Sequence, residues 1–202
     1  MQVMVLTGGI ACGKTTAGEL LREFLPGLAF FDCDQSVGRL LDSDPCVADA
    51  IRSAFGDQAV AEDGGVHRHF LRQEVFGNGR KRAQLEEILH PRVMEECLAS
   101  RDEAAKSGSD LFIADVPLFF EKGLDIAQQL VLVVATSRAT QVQRLKARGG
   151  FDDSLIESMI AAQMPVPDKM SRADVVFWNE GPPETLRRQV QRFCQSFSHD
   201  PQ

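Results

Sequence analysis

The most specific chemistry in the chain sits near its start. Gly8-Gly9-Ile10-Ala11-Cys12-Gly13-Lys14-Thr15 fits G-x-x-x-x-G-K-[ST] at every defined position. Such a loop lets backbone N–H groups turn inward around phosphate oxygens, and a helix that follows adds partial positive charge. Lys14 then reaches the outer phosphates, the Thr15 hydroxyl ligates magnesium, and Thr16 follows on the same turn. The chemistry implied is binding of a nucleoside triphosphate, read as ATP, together with Mg2+. The guanine-specific N-K-x-D is missing, since neither Asn78 nor Asn179 precedes a lysine, and no D-x-x-G occurs. A GTPase switch is therefore poorly supported.

Other side chains extend that chemistry. Asp32 and Asp34 stand two apart where an apolar run ends. They project to one face if a strand persists there, and need not once it breaks. Read for catalysis, Asp34 orients or deprotonates an acceptor hydroxyl and Asp32 lies nearer the magnesium; the alternative is a pair of solubilising acids at a turn. Asp115 closes another apolar run, as a magnesium-supporting carboxylate or as a plain polar terminus, and Pro117 then ends the strand. Arg144 and Arg148 share a helix face at i, i+4. Arg148, just before Gly149-Gly150, reads as a lid arginine reaching the transferring phosphate or as exposed helix surface. His90-Pro91 reads as a helix boundary with proline preorganised for the next turn. His90 is then a cap, a packing residue or a substrate contact. Asn179 reads as an adenine-recognising amide or as a turn residue before Gly181, and Glu121 equally as the surface start of a helix. Cys12, inside the loop, reads as a small filler.

These residues need elements to place them. Val3-Met4-Val5-Leu6 is a short apolar run ending in glycines, which predicts a buried strand. Ala17, Leu20, Leu21, Phe24 and Leu25 then mark one helical face, stopped by Pro26-Gly27. Further strands are predicted at 28–31, 111–116, 130–135 and 175–178, and a last helix after Pro182-Pro183. Residues 36–106 read as mostly helical, broken near Gly64-Gly65, Gly77-Asn78-Gly79 and Pro91. Apolar strands without alternation, separated by helices, predict an α/β fold with a doubly wound parallel sheet of five strands. The expected organisation is one domain: a core of 1–35, 107–143 and 171–202, a helical acceptor-binding insertion at about 36–106, and a lid at about 144–170.

Composition narrows the class. The formal charge of −7 on 202 residues disfavours nonspecific nucleic-acid binding, which needs a broad basic surface. Arg68, Arg72, Arg80, Lys81 and Arg82 nevertheless form a basic island against the single Glu74, a solvated helical face or a seat for a small polyanion. No run of about 18 apolar residues suggests a membrane span, and no signal peptide is recognisable, so the cytosol is expected. The five cysteines are scattered and never in C-x-x-C, which argues against disulfides or structural zinc.

Several segments resemble the dephospho-coenzyme A kinase family, and together they span nearly the whole chain. Leu6-Thr7-Gly8-Gly9-Ile10 resembles its L-T-G-G-I opening, and Asp32-Cys33-Asp34 its D-x-D. Arg68, Leu71, Val75-Phe76 and Leu89-His90-Pro91 follow its helical insertion in order. Asp115-Val116-Pro117-Leu118-Phe119-Phe120-Glu121 is similar to its D-V-P-L-L-F-E. Arg144-Leu145 with Arg148, and Ala162-Gln163-Met164 with Lys169, resemble its lid; Ala173-Asp174 and Asn179-Glu180-Gly181 resemble its closing A-D…N-x-G. The resemblance implies transfer of the ATP γ-phosphoryl group to the ribose 3′-hydroxyl of dephospho-coenzyme A. It implies a nucleotide site of residues 8–16 with Arg148 and Asn179, and an acceptor site of Asp34, Arg39, Arg68, His90, Asp115, Pro117 and Leu118. Thr15, Asp32 and Asp115 would serve the metal. A nucleoside or nucleotide kinase of the same architecture, or a binding module without turnover, are the competing readings.

One position departs from the family. Four residues beyond the second aspartate, where an arginine is usual, stands Gly38, and Arg39 follows. Either Gly38 loosens the helix so that Arg39 swings back to the same ligand, or another basic residue compensates and Arg39 lies on the surface. The first is the favoured expectation, because glycine costs a helix about 1 kcal/mol.

Overall fold

The structure is a computed structural model that describes residues 1–197. Five strands form one sheet: β1 (Gln2–Gly8), β2 (Ala29–Asp32), β3 (Leu111–Asp115), β4 (Leu130–Ala135) and β5 (Val175–Trp178), in the order β2-β3-β1-β4-β5. β1 lies at the centre, parallel to both β3 and β4, and β5 continues parallel beyond β4. Residues 3–8 of β1 are all buried, as a parallel strand covered on both faces requires. The strand order reverses about β1, so the loop after it opens at the carboxyl edge where such sheets bind ligands.

α1 (Lys14–Phe24) and α10 (Pro183–Phe197) pack on one side of this sheet. Leu21 and Leu186 are buried with Met4, Ile113 and Phe177 in that core. α6 (Phe119–Lys122) follows β3, and α7 (Arg138–Arg148), α8 (Asp153–Ala161) and α9 (Val166–Met170) lie between β4 and β5. Leu145 and Ile156 are buried with Ala11, and Ile10 packs against the same group. The predicted lid is thus joined to the loop by an apolar cluster.

The chain divides into two compact units, Met1–Phe31 with the chain from Glu103 onward, and Asp32–Asp102. The second holds α2 (Cys33–Ser43), α3 (Pro45–Phe55), α4 (Arg68–Val75) and most of α5 (Gly79–Lys106). Here one expectation fails. α5 runs unbroken through Pro91, so His90-Pro91 is a helix interior and not a boundary. Leu89, Val93 and Cys97, at i, i+4 and i+8, are buried along one face, while Pro91 and Glu87 are exposed. The proline's lost hydrogen bond therefore falls on the wet side, where water can satisfy the carbonyl it would have used, and burial of the other face carries the helix.

Candidate active site

The loop between β1 and α1 is fixed from behind. Gln141 Nε2 donates to the Ile10 carbonyl at 2.7 Å, while the Ile10 N–H donates to Gln163 Oε1, also at 2.7 Å. Arg144 Nη1 reaches the Ala11 and Cys12 carbonyls at 3.1 and 3.3 Å, and Asn179 Nδ2 reaches the Cys12 carbonyl at 2.8 Å. A trans peptide points its N–H opposite to its carbonyl, so the Gly13 N–H is turned away from Asn179. The first-turn N–H groups of α1 have no intrahelical acceptor. Together these groups form an anion nest. Its geometry needs glycine at position 13, where φ is +96° and a Cβ would fall 2.1 Å from Asn179 Nδ2. Ala11 also sits at positive φ, 59°.

Lys14 opens α1, and its Nζ lies 2.5 Å from Asp115 Oδ1 at the end of β3. The register of β1 with β3 sets Leu6 opposite Asp115, which brings that carboxylate to the loop. Their side chains are 17% and 6% exposed, so this is a largely desolvated pair. Thr15 and Thr16 are exposed on the first turn. Among the described residues no three His, Cys, Asp or Glu side chains gather as a metal cage. Magnesium with a nucleotide does not need one, because phosphate oxygens and water supply most of its ligands. An exposed threonine hydroxyl beside the nest and the Asp115 carboxylate fit that donor set.

Cys12 is fully buried, and burial raises its thiol above the ordinary range. It is a packing residue, not a thiolate. Arg148 ends α7 and is exposed; with Arg144, Gly13, Thr16, Asn179 and Pro183 it lines a cleft of about 440 Å³. The Asn179 side chain is buried and its amide nitrogen is used on the loop, so loop support is its observed role. A roomier cleft, about 1080 Å³, lies near Gln2, Gly27 and Ser109 at the starts of β1 and β3. That is the edge opposite to the loop, and among the described residues Asp110 is its one charged lining residue.

Sequence reasoning missed several supports. Glu180 accepts from the Ser137 N–H at 3.0 Å and from the hydroxyls of Thr136 and Thr140, both at 2.5 Å. Its carboxyl is pushed down to about 2, chiefly by the Ser137 N–H and then by Thr136 and Thr140. It thereby ties the turn after β5 to the start of the helix that carries Gln141 and Arg144. Glu121, for which a surface helix start was one of two equal readings, pairs with Lys169 at 2.7 Å, and Lys169 is wholly buried. Gln163 and Lys169 were visible only as motif matches. Nothing in their spacing marks them as partners of residues 10 and 121.

The aspartate pair and the acceptor-side cations belong to the helical unit. The strand ends at Asp32, whose Oδ1 accepts the Gln35 N–H at 3.0 Å and caps α2. Asp34 lies exposed in the first turn of that helix, so the pair does not share a strand face. Arg39 does not swing back to the Gly38 direction. α2 is regular there, one residue turns it by about 100°, and Arg39 meets Glu96 of α5 at 3.1 Å. Glu96 also accepts from the buried Ser36 hydroxyl at 2.6 Å. The guanidinium over Gly38 is that of Arg68, 2.6 Å from its carbonyl and 2.8 Å from Asp42. In the basic island, Lys81 pairs with Glu74. His90 is half-buried within α5.

A sequence model of the dephospho-CoA kinase family matches residues 2–184. A dephospho-CoA kinase of Geobacillus kaustophilus is 37% identical over 185 residues, covering 92% of this chain and 91% of the relative. One of Carboxydothermus hydrogenoformans is 34% identical over 197 residues, covering 98% and 95%. Among solved structures, a Thermus thermophilus protein superposes with TM-score 0.79 at 26% identity, over 98% of both chains. A Bacteroides thetaiotaomicron shikimate kinase superposes with TM-score 0.52 at 14% identity, over 98% of both chains, a likeness of fold alone.

Proposed function

This chain belongs to the dephospho-CoA kinase family, and from that premise we propose that it transfers the γ-phosphoryl group of ATP to the ribose 3′-hydroxyl of dephospho-CoA, giving CoA and ADP. The observation that carries this is the braced phosphate loop, with Lys14 held by Asp115 at its mouth. Phosphoryl transfer asks a protein chiefly for alignment and charge stabilisation, and the loop supplies both. The Gly13 N–H and those of the first turn of α1 hold the phosphates, and Lys14 neutralises charge on the outer ones. The nucleotide's remainder occupies the cleft lined by Arg148 and Asn179. Magnesium, bound through phosphate oxygens, Thr15 and the carboxylates of Asp32 and Asp115, would add charge neutralisation. Asp34 accepts the proton of the 3′-hydroxyl as the new O–P bond forms. Arg68, with His90, Pro117 and Leu118, serves the acceptor, whose pyrophosphate suits guanidinium groups. The reaction belongs to the cytosol. Among the described residues no helix is long and apolar enough to cross a membrane.

The test is an acceptor panel: ADP release from ATP with dephospho-CoA, AMP, adenosine or no acceptor. Dephospho-CoA is expected to be far the best. If AMP or adenosine won, the protein would be a nucleotide or nucleoside kinase of the same fold; ADP release equal in all arms would leave only a nucleotide-binding module.

A further inference from the structure

Behind the loop lies a buried ion pair that the transfer roles above do not use. The Lys169 ammonium is 0% exposed, 2.7 Å from Glu121 Oε1 and 3.5 Å from the Pro117 carbonyl. The Met164 N–H donates to the same Glu121 oxygen at 2.9 Å. Glu121 Oε2 is buried, and no described residue hydrogen-bonds it. The Thr7 hydroxyl donates to the Pro117 carbonyl at 3.2 Å, from β1. Val166, one turn before Lys169, presses on the loop so closely that a Cβ at Gly9 would fall 2.8 Å from its methyl.

Stability does not account for this arrangement. Apolar residues of similar volume often replace a buried ion pair at no loss. The geometry points to a positional role, and we infer that Glu121 and Lys169 are positioning residues for phosphoryl transfer. Glu121 aims the ammonium at the Pro117 carbonyl, and Thr7 holds the same oxygen from the other side. That fixes the turn Asp115-Val116-Pro117, whose first residue grips Lys14. The lid root thus sets Lys14 indirectly, through the strand end. This rests on the roles given above to Lys14 and Asp115.

Three variants test it. Lys169→Met alone strands a buried carboxylate and is expected to melt well below the parent. Lys169→Met with Glu121→Leu removes both charges, and its melt is expected to return to within about 4 °C of the parent. Its kcat should stay about tenfold or more down, since small misplacements of reacting groups carry losses of this order, with KM for ATP within about twofold. A double variant that melts and turns over like the parent would show that the pair serves only the core. Should the double variant not fold, Glu121→Gln keeps volume and acceptor; a parental melt with kcat down about threefold supports the inference, and an unchanged kcat overturns it. The parent's ADP release, measured alongside, shows separately whether the proposed function itself stands.

Discussion

At and behind the phosphate loop, charged and amide side chains are buried or half-buried and reach across from different strands and helices: Asp115 from β3, Arg144 and Gln141 from α7, Lys169 from α9, Asn179 from the end of β5. In residues 32–102 the charged candidates stand in the open. Asp34 is exposed, and the Arg39–Glu96 and Arg68–Asp42 pairs leave between 37% and 66% of each side chain in water. Exposed pairs contribute about 0–1 kcal/mol, whereas breaking a desolvated one costs about 3–5 kcal/mol. The same kind of residue therefore does different work in the two regions. Loop-side substitutions should damage fold and rate together, and acceptor-side ones rate or affinity alone.

Asp34→Asn puts the sharpest strain on this contrast. An amide cannot take the acceptor's proton, and such assistance contributes about 10²–10⁴ in rate. The melt should not move, because Asp34 is an exposed first-turn residue. Asp32→Asn should also keep its melt, since asparagine caps a helix as well as aspartate does, and its rate loss should be partly rescued by high magnesium. Equal and magnesium-independent losses would end this division between the two aspartates.

Lys14→Ala comes next, with a rate loss of at least about a hundredfold, the scale of one lost preorganised charge. Unlike Asp34→Asn it should also melt early, because Asp115 is left buried and without its ammonium. Adding Asp115→Asn should recover much of the melt and none of the rate. A parental melt for Lys14→Ala alone would mean that burial does not separate the two regions.

The two regions also differ in how far the sequence discloses them. The glycine loop, its strand and its helix follow from local pattern, since glycine, lysine and threonine at fixed offsets have one common use. The five strands were legible because continuous apolar runs need cover on both faces. The contacts of Gln141, Gln163 and Lys169 were not, because a pairing between residues 10 and 163 has no local signature. Pro91 misled for a related reason: whether a proline ends a helix depends on which face the missing bond falls on. The Arg39 expectation failed because it asked a regular helix to give way at Gly38.

Glu180 tests the loop side through pH. Its carboxyl, held down to about 2 in the folded protein, returns to about 4.3 on unfolding. A depressed folded value adds stability that is complete above the unfolded value and is lost as pH falls toward the folded one. The melting temperature of Glu180→Gln should lie below the parent at pH 7, and the gap should close between about pH 4.5 and 2. Parallel melting curves over that range would show that the Ser137, Thr136 and Thr140 contacts do not persist in solution.

The smallest effect is expected at Arg39, and it sharpens the comparison within the acceptor side itself. Arg39 and Arg68 are both exposed arginines on neighbouring helices, each with one carboxylate partner. They differ in what else they hold. Arg68 spans one turn of α2, bonding Asp42 and the Gly38 carbonyl, and a Cβ at Gly38 would lie 3.4 Å from its guanidinium. The absence of a side chain at position 38 leaves that guanidinium room to lie close over the helix. Arg39 bonds Glu96, whose other partner is the buried Ser36 hydroxyl. If the second account of the missing arginine is right, Arg68 supplies the charge and Arg39 is a surface residue. Arg68→Ala should then raise KM for dephospho-CoA about tenfold, the equivalent of one charge-assisted contact. Arg39→Ala should change it less than about twofold, with the melt unmoved because an exposed pair contributes little. Steady-state kinetics against dephospho-CoA at saturating ATP decide between them. A tenfold rise for Arg39→Ala with a silent Arg68→Ala would reverse the assignment and return the acceptor's phosphate to the residue beside Gly38.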